Sequence, residues 1–192
     1  MFHSMTIAGL ERKLPLCRLN DDLKIAAFVI FGDAELTVAC AKELLEKAHK
    51  MGIKVLFDLV PGHTSDQNEW FLQAKKAEKN EYSDNYIFTK CVWDAPPEYR
   101  LVCGMCERDG NYMVNYFSSQ PALNYGFYEV THPTWQLPHD SEAAKCTAER
   151  LKDVMRYWLD FGIDGFRVDM ADSLVKNDDE KIATAKIWAD IR

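Results

Sequence analysis

The sequence contains no apolar run approaching the roughly 20 residues that a membrane-spanning helix needs, so no membrane partner is expected. Met1 to Lys13 lacks the continuous apolar core of a secretory signal, and a cytoplasmic location is expected from that. Positive charge is not in excess. Lys and Arg number 23 against 30 Asp and Glu, a formal net charge of −7. That balance argues against a nucleic acid or an anionic surface as the main partner, and it suits a neutral ligand such as a sugar. No low-complexity tract interrupts the chain. Hydrophobic residues at 47% and charged residues at 28% exclude a disordered composition. Cysteine is present but not in a metal pattern. Cys103-Gly-Met-Cys106 has the spacing of half a zinc site, yet no second Cys or His pair accompanies it at zinc-ribbon distance. No metal site is expected, and the thiols are read as reduced and incidental. Nothing in the composition speaks to oligomeric state.

What is present is a twice-used plan. Asp33 can cap a helix whose apolar positions include Leu36, Cys40, Leu44, Leu45 and Ala48, and Gly52 can end it. Ile53 to Val60 then reads as a short strand buried on both faces. Asp140 or Ser141 can cap a second helix, with Leu151, Val154, Met155, Trp158 and Leu159 on one face. Gly162 ends it, and Ile163 to Val168 is the next strand. A third helical pattern starts near Asp179. Alternating helices and buried strands imply parallel strands and an α/β fold. Asp58 and Asp169 fall at the carboxyl ends of the two strands, where βα-loop enzymes keep their chemistry; a plain helix-capping role is the alternative.

The link between these two units is long. From Gly62 to Pro138 no long amphipathic helix is expected, whereas βα loops typically run about 2–6 residues. The segment must fold on itself. It is rich in aromatics, among them Trp70, Tyr86, Trp93, Phe117, Phe127 and Trp135, which fit a small core and lid or platforms for sugar rings.

Three motifs in this order resemble one family. Asp58-Leu-Val-Pro-Gly-His63 looks like the first signature of the α-amylase family of glycoside hydrolases. Gln120-Pro-Ala-Leu-Asn124 is similar to the Gln-Pro-Asp-Leu-Asn motif of its oligo-1,6-glucosidase branch. Gly165-Phe-Arg-Val-Asp169 looks like the second signature. The resemblance covers roughly Phe31 to Arg192 and leaves residues 1–30 unmatched. It implies an incomplete (β/α)8 TIM barrel: a partial barrel over 1–61, an inserted B subdomain over 62–138 after the third strand, and a partial barrel with the nucleophile strand over 139–192. A closed barrel takes about 250 residues, and this chain offers two clear strands and a third near Ile25 to Phe31. The implied chemistry is retaining hydrolysis of α-glucosidic bonds in oligosaccharides. A transglycosylase or isomerase such as a trehalose synthase, or a non-catalytic carbohydrate-binding relative, is the alternative.

The resemblance implies that Asp169 is the covalent nucleophile, that Arg167 sits beside it, and that His63 binds the sugar. Arg167 and Asp169 are two apart on a strand, so their side chains leave one face. A nearby guanidinium favours the charged form of a carboxylate, as a nucleophile requires. Asp58 is read as an orienting acceptor on the substrate side. Gln120, with Asn124, either contacts sugar or fixes the insert. Gly62 stands where the family has an Asn that binds calcium in calcium-dependent members; no cofactor is expected, with calcium left open. Ala122 replaces the Asp of the branch motif, and Met170 follows the nucleophile where the branch has Val or Thr. Retaining hydrolysis also needs an acid/base carboxyl roughly 5–5.5 Å from the nucleophile. The family places that glutamate on the next strand. Glu180 is expected at the start of a helix instead, so this stretch alone is expected to be inactive.

Overall fold

The computed structural model describes residues 17–20, 23–28 and 34–192, with side chains from residue 41 onward. The expected cap at Asp33 and the side chains of Leu36 and Cys40 lie outside what is described. Ten elements follow in order among the described residues: β1 (Cys17–Asn20), β2 (Leu23–Phe28), α1 (Ala34–Lys50), β3 (Ile53–Leu59), α2 (Glu69–Ala74), β4 (Leu101–Val102), β5 (Tyr112–Met113), α3 (Glu142–Phe161), β6 (Gly165–Val168) and α4 (Ile182–Ile191). They fall into two compact units, residues 1–59 with 154–169 and residues 60–153 with 170–192. No helix among the described residues is long and apolar enough to cross a membrane.

The first unit is built on a sheet of order β1-β2-β3-β6. β2, β3 and β6 run parallel, as the alternation of helix and strand predicts. β1 instead folds back antiparallel on β2. That hairpin is not part of the expected repeat. The third strand expected near Ile25 to Phe31 is β2, shifted to start at Leu23.

Ala41, Leu45 and Ala48 of α1 recur every three or four residues and are buried, with Leu44 partly so. They pack on Val55 and Phe57 of β3 and on Ile163, joined at the edge by Trp158, Phe161 and Phe166. Phe57 and Trp158 meet with ring centroids 5.1 Å apart. Gly52 (φ 69°) and Gly162 (φ 114°) end α1 and α3 in the conformations that L side chains disfavour.

Three details depart from the sequence reading. β3 alternates, with Val55, Phe57 and Leu59 buried and Leu56 and Asp58 only partly so; one face is covered by helices and the other carries polar chemistry. β6 begins at Gly165 rather than Ile163, because Asp164 turns its side chain onto β3 instead of continuing the strand. Leu159 is exposed, and Phe161 packs in its place.

The second unit has no long helix between 62 and 138. Its only helix there is the six-residue α2, capped by Asn68 Oδ1 accepting from Trp70 N–H. Ile87, Met113, Ala122, Phe127 and Trp135 form one core cluster. Phe71, Tyr86 and Tyr112 pack edge to face, with centroids about 5 Å apart. Arg108 lies over the Phe88 ring at 4.2 Å and donates to the carbonyls of Ala74 and Ser83. Seven aromatics of the segment are therefore buried, whereas Trp93, Tyr116, Phe117 and Tyr128 are exposed. Ser141 caps α3, its Oγ accepting from Ala144 N–H. α4 begins at Ile182, later than the sequence pattern suggests, because Asp178 accepts from Thr184 N–H and leaves Glu180 ahead of the helix.

Candidate active site

In the first unit, register places Asp58 of β3 directly opposite Arg167 of β6. Asp169 follows β6 by one residue, and its N–H donates to the Leu59 carbonyl at 2.8 Å, which fixes it at the strand end. Arg167 Nη1 donates to Asp58 Oδ1 at 2.8 Å and to Asp169 Oδ1 at 2.7 Å. One guanidinium nitrogen thus ties two carboxylates from adjacent parallel strands. Their hydrogen bonds, that of Asp58 foremost, raise the Arg167 pKa above its usual value. Asp169 keeps about a third of its side-chain surface exposed, so its second oxygen can meet a ligand. A carboxylate aimed in this way and open to a ligand is what attack on an oxocarbenium-like carbon requires.

At the opposite edge of the same sheet sits an acid that the sequence did not single out. Asp164 accepts from Lys54 Nζ at 2.7 Å and from Val55 N–H at 2.8 Å, and pairs with His49 Nε2 at 2.8 Å. Burial alone would push its carboxyl up; Lys54, the Val55 N–H and His49 override it and hold the pKa down at about 2. This acid holds structure together rather than meeting a ligand.

His63 and Gln120 belong to the second unit. The His63 segment pairs with the strip that follows Gln120: His63 bridges Ala122, and Thr64 N–H donates to the Pro121 carbonyl. Gln120 Oε1 accepts from Phe117 N–H and closes its own turn. Asn124 is buried and bonds within the segment, to the Asp84 carbonyl and the Gly126 N–H, so it fixes the segment's own fold. Asn115 Nδ2 donates to the Gly62 carbonyl at 2.8 Å and lies 3.3 Å from His63 Nδ1. Lys176 Nζ donates to Asn115 Oδ1 at 3.0 Å and to the Ser173 carbonyl at 3.1 Å. Burial, with a smaller push from Lys181, lowers the Lys176 pKa to about 8. These residues do not fit calcium. The Asn115 amide oxygen already accepts from the Lys176 ammonium while the amide nitrogen meets Gly62, and that fixed cation would repel a second.

Asn115, Lys176 and Asp164 were all missed by sequence reasoning. Lys176 carried a faint signal, a lysine directly after the apolar pair Leu174-Val175. Asn115 and Asp164 carried none, because each acts on residues far away in the chain.

Residues 29–188 match the α-amylase catalytic domain. The trehalose synthase/amylase of Mycolicibacterium smegmatis is 36% identical over 135 residues, which is 66% of this chain and 20% of that protein. An oligo-1,6-glucosidase of Heyndrickxia coagulans is 33% identical over 141 residues, 69% of this chain and 22% of that protein. The chain therefore spans about a fifth of the length of these curated relatives. Among solved structures, the trehalose-6-phosphate hydrolase of Bacillus licheniformis superposes with a TM-score of 0.61 at 27% identity. It covers 81% of this chain and 29% of its own.

Proposed function

Because this chain belongs to the α-amylase family, matching its catalytic domain over most of its length, we propose that it is part of a retaining glycosidase that hydrolyses α-glucosidic bonds of oligosaccharides. The observation that carries this is the Asp58–Arg167–Asp169 arrangement at the strand ends. Asp169 Oδ attacks the anomeric carbon, the glycosidic C–O bond breaks, and a general acid protonates the departing oxygen. Water, deprotonated by the same group, then releases the sugar and restores the carboxylate. Arg167 aims and holds the nucleophile, Asp58 orients Arg167, and His63 with Gln120 contacts the sugar. The acid/base role goes to none of these residues. A polypeptide of these 192 residues alone is expected not to turn over an aryl α-glucoside. The scaffold is an incomplete (β/α)8 barrel over 1–61 and 139–192, with 62–138 as its inserted B subdomain.

The test is covalent trapping in the full-length protein. A slow fluorinated α-glucosyl fluoride should add one glycosyl mass to the peptide carrying Asp169, and Asp169→Asn should abolish both label and turnover. Label on a different carboxylate in an active enzyme would refute the assignment.

The 36% identity to a trehalose synthase/amylase supports a second reading, glucosyl transfer or isomerisation. The glucosyl-enzyme forms in the same way, and only the acceptor differs. Product analysis on maltose separates the two, since hydrolysis yields only glucose and isomerisation yields a non-reducing disaccharide.

A further inference from the structure

A chain of hydrogen bonds in the second unit runs from the residue before His63 to the residue after Asp169. The Gly62 carbonyl accepts from Asn115 Nδ2 at 2.8 Å, alongside Leu123 N–H at 3.1 Å. Asn115 Oδ1 accepts from Lys176 Nζ at 3.0 Å, and the same ammonium donates to the Ser173 carbonyl at 3.1 Å. Ser173 donates twice to the Met170 carbonyl, from its N–H at 3.1 Å and from its Oγ at 2.8 Å. The two ends pack on each other: a Cβ at residue 62 would lie 2.9 Å from Asn115 Nδ2 and 3.7 Å from Ser173 Oγ. Met170 itself holds φ 48°, a left-handed conformation that an L side chain disfavours and that its surroundings must maintain.

Lys176 is the centre of this relay, and stability does not explain it. Its backbone is fixed on both sides, with its N–H on the Gly126 carbonyl and its own carbonyl on the Tyr128 N–H. Both acceptors of its ammonium are neutral. Burial, with a smaller push from Lys181, lowers its pKa to about 8. A lysine whose pKa falls on folding costs stability below the folded value, and the cost fades only as pH rises toward 10.5. The ammonium supplies direction instead. It has three N–H donors and no acceptor, so it joins two oxygens that could not bond each other.

We propose that Lys176 is a positioning residue that couples the loop of His63 to the turn 170–173 that follows Asp169. One end of the relay sets the sugar contact and the other sets the nucleophile's backbone. The coupling rests on the roles given above to His63 and Asp169.

The test is steady-state kinetics of the full-length protein on an aryl α-glucoside, with the melting temperature of each variant measured alongside. Asn115→Asp keeps the acceptor for Lys176 and loses the donor to Gly62. KM should rise roughly fivefold, the loss of about one hydrogen bond, with kcat nearly unchanged. Ser173→Ala removes one of the two donors to Met170, so kcat should fall roughly fivefold with KM nearly unchanged. Lys176→Met cuts the relay at its centre and should do both. A merely structural role would lower the melting temperature in step with activity and would not split KM from kcat; that pattern overturns the proposal. Wild-type kinetics in all three variants of an enzyme that Asp169→Asn inactivates also overturns it, and leaves the nucleophile assignment standing. Full turnover by Asp169→Asn would refute that assignment and the proposal with it.

Discussion

Replacing Asp164 with asparagine tests how the first unit is held together. The carboxylate accepts from Lys54 Nζ, pairs with His49 Nε2 and takes the Val55 N–H, while the Asp164 N–H donates to the Val55 carbonyl at 2.9 Å. One residue therefore binds the start of β3 and the end of α1 to the start of β6. A carboxyl moved from 3.8 to about 2 on folding contributes roughly 2 kcal/mol at neutral pH. The carboxylate is 15% exposed but its partners Lys54 and His49 are 58% and 41% exposed, so solvent screening reduces this to about 1 kcal/mol. The folded pKa is depressed. The contribution is thus complete above the unfolded value near 4 and disappears as pH falls toward 2. The substituted amide keeps an acceptor for Val55 N–H but loses the charge. Urea unfolding at pH 7 should show Asp164→Asn less stable by about 1 kcal/mol, a midpoint lower by about 0.5 M for a typical m-value. The gap should close as the titration is repeated down to pH 2. Equal midpoints at pH 7, or a gap that does not close in acid, would refute this account of the sheet edge.

The remaining predictions concern the opposite edge and the core. Asp169→Asn should leave the urea midpoint within about 0.5 kcal/mol of wild type while abolishing turnover of an aryl α-glucoside. Arg167→Met leaves two carboxylates without their shared cation. In the full-length protein its kcat/KM for an aryl α-glucoside should fall at least roughly tenfold, the loss of the hydrogen bonds that aim Asp169; an unchanged value would show that Arg167 does not position Asp169. Phe57→Ala removes a buried ring that packs on Trp158 and should cost about 3–5 kcal/mol in chemical denaturation.

The sequence made the local features of the chain legible and missed the distant ones. Helix ends at Gly52 and Gly162, the apolar spacing of α1 and the strand ends at Asp58 and Asp169 all depend on neighbours within a few residues. Each leaves a periodic or punctuating trace. The Arg167–Asp169 contact was legible too, because two residues on one strand must share a face. The pairing of Asp58 with Arg167 needs the register of β3 against β6, across 109 residues, and no local pattern encodes it. The antiparallel β1 lay outside the repeat that made the other strands readable. Leu159 was misplaced because helical periodicity names a face but not its edge, and Phe161 takes the position nearer Trp158.

Asp164 and Asp169 show why sequence alone ranks acids poorly. They lie five residues apart, flank one short strand, and both pair with a basic side chain. In composition they are interchangeable. Their surroundings differ in one respect that decides role. Asp164 meets a backbone N–H and two basic side chains at the amino edge of β6, so its oxygens are engaged by the protein itself. Asp169 is held by one oxygen and one N–H at the carboxyl edge and keeps surface for a ligand. In parallel α/β sheets the amino edge carries stability and the carboxyl edge carries chemistry. The two substitutions above should therefore separate cleanly, one lowering stability with turnover preserved, the other abolishing turnover with stability preserved.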